Sequence, residues 1–139
     1  MKKKNRPMIT TEKKVKQIME YYYMSPSQME AKEMSLCIET VPQEQIEVWR
    51  ELNLMEVVLD SDSLIFQDAG ECFIDPLDLE FIQEHQIRTI YQISFEAGDG
   101  KMVRKIMREL IEKKGGFICS DTETFEPIYG LENMEELGI

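Results

Sequence analysis

Residues 88–129 read RTIYQISFEAGDGKMVRKIMRELIEKKGGFICSDTETFEPIY, and this stretch decides the fold. Tyr91, Ile93 and Phe95 alternate with Gln92, Ser94 and Glu96, the period of a half-buried strand. Gly98-Asp99-Gly100 then forms a turn in which Asp99 is placed to cap a helix. From Lys101 the period changes. Met102, Val103, Ile106, Met107, Leu110 and Ile111 make one continuous apolar stripe, with Lys101, Arg104, Lys105 and Arg108 on the other side. Lys113 and Lys114 suit the negative end of that helix, and Gly115-Gly116 stops it before a second short strand, Phe117-Ile118-Cys119.

Working outward, Ser35–Val41 (SLCIETV) reads as a strand, and Pro42 opens a helix over about Gln43–Asn53. Ile46, Trp49 and Leu52 would line one side of that helix, with Trp49 as a core anchor against the sheet. Val57-Val58-Leu59 and Leu64-Ile65-Phe66 read as strands of a hairpin whose tight turn is Asp60-Ser61-Asp62-Ser63. Cys72-Phe73-Ile74 extends the sheet, and Asp75-Pro76 caps a short helix from Leu77 to about Glu84. Near the end, Leu131, Met134 and Leu137 are spaced for one helical turn.

Towards the start, residues 1–9 form a basic arm, and a helix is expected from Thr10 or Thr11 to about Met24. Ser25-Pro26-Ser27 breaks it. Two regions follow, a basic arm with its N-terminal helix over 1–34 and a single α+β domain over 35–139. The string β-α-β-β-(short helix)-β-α-β predicts a ferredoxin-like, split β-α-β arrangement. Antiparallel strands would carry two helices on one face, and the N-terminal helix would be an addition. An α/β sheet of different strand order is the rival.

The chain has 139 residues and a net charge of -11, enough length for one self-sufficient core. No apolar run reaches a membrane span, and no apolar segment follows the basic MKKKNRP start as a secretion signal requires. A bacterial cytoplasmic protein without membrane contact is the expectation. Charge is unevenly placed. Residues 1–16 hold seven Lys or Arg against one Glu, while 17–100 hold three against eighteen acids. Helix 101–114 is basic again, and the six charges after it are all acidic. An acidic body repels nucleic acid phosphates but steers basic proteins in, although acidity also serves plain solubility. Basic helix and acidic body could also meet in a homodimer.

No local motif marks an enzyme. His85 is the single imidazole, in a polar stretch where solvation is its ordinary role. No phosphate-cradling glycine loop is present, and Gly98-x-Gly100 has Asp99 where an anion would sit. Cys37, Cys72 and Cys119 lie far apart in apolar runs and read as small buried hydrophobes, so no metal site, disulfide or cofactor is expected. Asp60 and Asp62 lack the glycine and terminal glutamate of a calcium loop.

Gly115-Gly116-Phe117-Ile118, Asp121-Thr122 and Phe125-x-Pro127-Ile128-Tyr129 give the end of the chain its character. Over these fifteen residues the sequence resembles the closing segment of small bacterial proteins that include immunity proteins of polymorphic toxin systems. The resemblance implies a non-catalytic inhibitor of a basic toxin, with exposed acids covering the toxin's active surface. The expected contacts are Asp60, Asp62, Asp121, Glu123 and Glu126 as charges, with Phe125 and Tyr129 as aromatic anchors. The alternatives are a small-molecule-sensing regulatory domain and a small enzyme working through carboxylates.

Overall fold

A computed structural model describes residues 16–139. Seven strands form one sheet in the order β2-β3-β4-β5-β1-β6-β7, with every neighbouring pair antiparallel. In chain order these are β1 (Ile18–Ser25), β2 (Ile46–Trp49), β3 (Leu54–Val58), β4 (Ser63–Asp68), β5 (Thr89–Glu96), β6 (Phe117–Cys119) and β7 (Ile128–Tyr129). The helices are α1 (Ala31–Cys37), α2 (Pro76–Glu84) and α3 (Gly100–Lys114).

The β5-α3-β6 unit matches its sequence pattern. β5 presents Tyr91, Ile93 and Phe95 to α3, whose Val103, Ile106, Met107, Leu110 and Ile111 are buried against the sheet. Each such side chain contributes about 1.5–3 kcal/mol on leaving water. Because β1 runs antiparallel to both β5 and β6, those two strands are parallel, with β1 between them. That is a split β-α-β unit. The rest of the fold departs from the ferredoxin-like expectation, since the sheet has seven strands and the helix expected at Gln43–Asn53 is absent.

Four assignments are corrected. The N-terminal helix is strand β1 over its described part, and residues 10–15 of the expected helix lie outside the described residues. Met19, Tyr21 and Tyr23 face α3 while Tyr22 and Met24 pack on the opposite side, so apolar residues fall on both faces and hide the alternation. β1 lies inside the sheet, so residues 18–34 share one body with 35–139. The expected strand over Ser35–Val41 is instead the end of α1 followed by loop from Ile38, and α1 is begun by a reciprocal capping box between Glu30 and Glu33. The Trp49 helix is strand β2 between two single 3-10 turns, and Trp49 is 39% exposed rather than a core anchor. Cys72-Phe73-Ile74 is loop, not strand.

Tertiary polar contacts hold α3 at both ends. At its C-terminus, the Tyr23 hydroxyl donates to the Gly115 carbonyl at 2.8 Å, and Ser25 and Ser27 hydroxyls donate to the Lys114 carbonyl. Gly116 has φ +92, and a Cβ there would lie 2.1 Å from the Met24 carbonyl oxygen, so only glycine lets β6 meet β1. At its N-terminus, Asp99 stands at the cap position without capping. Its buried carboxylate instead accepts from Ser61 N at 2.9 Å and Asp62 N at 3.0 Å, clamping the β3–β4 turn. Asp99→Ala orphans both amides, and the expected cost is roughly 2–3 kcal/mol. It should appear as a lower urea midpoint at unchanged slope; an unmoved midpoint contradicts the clamp.

Glu109 joins α3 to the segment after α1. Its carboxylate accepts from Glu39 N (2.9 Å), Thr40 N (3.1 Å), the Thr40 hydroxyl (2.8 Å) and Lys113 Nζ (3.1 Å). Burial pushes its carboxyl up, but these donors outweigh burial and hold it below the usual carboxylate range. A lowered folded pKa means stability that is full above the ordinary value of 4.5 and lost as pH falls through the folded one. Glu109→Gln should therefore flatten the acid limb of stability measured by urea titration at descending pH. Parallel limbs for the two proteins would rule this contribution out.

Candidate partner-binding surface

The two faces of the sheet are covered unequally. One carries α1, α3 and the turn at Met134–Glu136, which seal a continuous core. The other carries α2 and two loops, whose Phe73, Phe81, Ile82 and Phe125 cover Met24, Ile90 and Cys119 near β5, β1 and β6. No α2 residue is fully buried. Beyond α2, on the β2-β3-β4 side, no described element covers the second face.

Register places two rows across that open face. Glu47, Glu56, Ile65, Ser94 and Glu20 are successive cross-strand partners from β2 to β1. Beside them run Trp49, Leu54, Gln67, Gln92 and Tyr22. Glu20, Glu47 and Trp49 are exposed, while Glu56, Leu54 and Ile65 are half-buried. Neither row holds a Lys or Arg. Among the described residues, the only contact that ties a carboxylate of these rows to a neighbour by side chain is the Ser63 hydroxyl donating to Glu56. Three carboxylates beside an exposed tryptophan and two half-buried aliphatics make a surface suited to a cation-bearing partner with apolar side chains.

Tyr22 links this face to a second acidic group. Phe73 packs edge-on against Tyr22 at 5.1 Å. Burial raises the Tyr22 hydroxyl pKa, and Asp121, Cys72, Cys119 and Glu20 raise it further. Past it, the N-terminal end of α2 and the loop after β6 enclose a cleft of about 640 Å³ lined by Asp75, Leu77, Asp78, Asp121, Thr122 and Glu123. Asp75 caps α2 by accepting from Leu77 N at 2.8 Å, and Leu77 itself is 72% exposed.

The residues expected to bind a partner are dispersed. Asp121 and Glu123 meet in this cleft, and Glu126 is exposed on the same loop. Asp60 and Asp62 lie in the β3–β4 turn, with β5 and β1 between them and that loop. Asp62 pairs with Lys16 at 2.9 Å, and hydrogen bonds from Lys16 and from Ser63 N hold its carboxyl below the usual range. Phe125 and Tyr129 are corrected as anchors. Phe125 is 3% exposed and tilts against Phe81 at 4.6 Å, and Tyr129 is buried edge-on to Tyr21 at 5.9 Å. Glu20, Glu47 and Trp49 went unrecognised because their segments carried a helical reading. Period-two alternation in Ile46-Glu47-Val48-Trp49 was the signal that could have found two of them.

Other chemistry is sparse. His85 ends α2, its Nδ1 2.9 Å from the Phe81 carbonyl and its ring 4.1 Å from the Phe81 ring. Among the described residues no three His, Cys, Asp or Glu side chains converge as a metal-binding group. No described helix is long and apolar enough to cross a membrane. No family model, curated protein or solved structure matches the chain.

Two of the three cysteines differ from their sequence reading. Cys119 is buried, and burial pushes its thiol up to about 12, but Cys72 is exposed and Cys37 half-buried. A maleimide should label Cys72 rapidly in the native protein and Cys119 only after unfolding. Equal labelling rates for those two thiols would contradict the packing around β6.

Proposed function

We propose that this chain is a non-enzymatic protein-binding module that docks a basic protein on the open face of its sheet. The observation that carries this reading is the pair of rows from β2 to β1, acidic and aromatic, free of lysine and arginine, with Glu20, Glu47 and Trp49 exposed among the described residues. A carboxylate-lined face steers a basic partner in, and Trp49 supplies contact area that a merely solubilising surface does not need. Its most concrete form is an immunity-type inhibitor of a basic toxin, in keeping with the resemblance of residues 115–129. Asp121, Glu123 and Glu126 then extend the contact beyond Tyr22, with Asp60 and Asp62 at the far turn. The same charge disfavours nucleic acid and acidic membrane surfaces as partners.

Affinity capture from lysate at low and moderate salt supplies the partner, and titration of the purified pair gives its affinity. Glu20→Lys with Glu47→Lys should weaken binding more than about tenfold. Both positions are exposed, so stability should change by no more than about 0.5 kcal/mol. Unaltered affinity in that double variant would remove the open face from the account.

A second reading rests on a cavity of about 630 Å³ at the end of the sheet, lined by Asn53, Asp68, Glu71, Arg88 and Tyr91 among others. Both charge signs line it, as a site for a small zwitterion would require. A metabolite that raises the melting temperature, with the rise lost in Arg88→Ala, would favour a sensing domain.

A further inference from the structure

We infer that the open acidic face has an occupant within this chain, the basic segment of residues 1–15, which a partner must displace. The inference rests on the reading of that face as the docking surface. Residues 1–15 carry six Lys or Arg (Lys2, Lys3, Lys4, Arg6, Lys13 and Lys14) and a single acid, Glu12. They enter the described structure at a telling place. Lys16 reaches Asp62 in the β3–β4 turn at 2.9 Å, and Glu96 adds to the field that raises its pKa after the Asp62 hydrogen bond and charge. Gln17 is tied to the end of β5, its carbonyl accepting from Ala97 N at 2.9 Å.

The first described residues, Lys16 and Gln17, therefore stand beside the β3–β4 turn and the end of β5, next to the strands that form the open face. Alternation along β1 puts Glu20 and Tyr22 on the open side. Reach is sufficient. Fifteen residues span up to about 50 Å extended, while β1 to β2 is four strand spacings, about 19 Å. Tethering raises the local concentration of the arm to about millimolar, so weak ion pairs suffice to hold it. A free partner needs either more charge or the apolar contacts at Trp49 and Leu54 to displace it.

The test uses fluorescein-labelled decalysine as the probe, followed by anisotropy at low ionic strength, on the full chain and on a full-length variant. The variant carries Lys2→Ser, Lys3→Ser, Lys4→Ser and Arg6→Ser, which leave the described fold untouched. Release of the arm should make the variant bind decalysine about fivefold or more tighter than the parent. The gain should disappear when Glu20→Lys and Glu47→Lys are added. Equal binding by parent and variant would overturn the arm contact while leaving the docking surface standing. No binding by either would overturn the surface, and the arm contact with it. Light scattering covers the remaining occupant: a parent dimer that dissociates in the variant would place the arm on a second copy and overturn the intramolecular contact.

Discussion

The whole molecule depends on β1 lying between β5 and β6. Its eight residues pair with all of β5 on one side and with β6 on the other, and it is the one strand that joins the meander β2-β3-β4-β5 to the closing strands. The same strand receives the C-terminal end of α3 through Tyr23 and Ser25. Both of its faces are covered along its second half, where Tyr23, Met24 and Ser25 are fully buried. A change that weakens β1 therefore loosens the sheet, the helix above it and the aromatic layer below it together.

Unequal covering follows from the lengths of the elements. α3 has fifteen residues and a wide apolar stripe, and with α1 it closes one face of the sheet. α2 has nine residues and sits on the other face near β5, β1 and β6. The strands beyond it mix Glu47, Glu56, Ser63 and Gln67 with Trp49, Leu54, Val58 and Ile65 on that face, and no described helix covers them. Basic residues gather on α3, so the sheet separates a cationic helix from an anionic face. That separation gives the surface a direction, and it distinguishes the protein from one that is acidic all round.

Legibility in the sequence tracked how unambiguous each period was. α3 is long enough for its stripe to exclude a strand, and the glycines at 115–116 mark its end by a backbone need that the close approach to Met24 makes explicit. The β3–β4 hairpin and the Asp75-Pro76 helix start were legible for the same local reasons. β1 was not, because a strand buried on both faces loses its alternation. β2 was not, because four residues between two 3-10 turns satisfy helical and strand spacing alike. The site suffered from those two errors. Glu20, Glu47 and Trp49 become neighbours only through cross-strand register, which no local pattern contains. Asp99 shows the same limit: its place before a helix predicted capping, yet a turn 37 residues away claims its carboxylate.

Partner binding on the open face is the central claim, and a chemical-shift footprint on the isotope-labelled chain tests it most directly. With the captured basic partner added, the account predicts the largest amide changes at Glu20, Glu47, Trp49, Glu56 and Ser94, with α3 nearly silent. A footprint centred on α3, or spread evenly over every exposed acid, would contradict it.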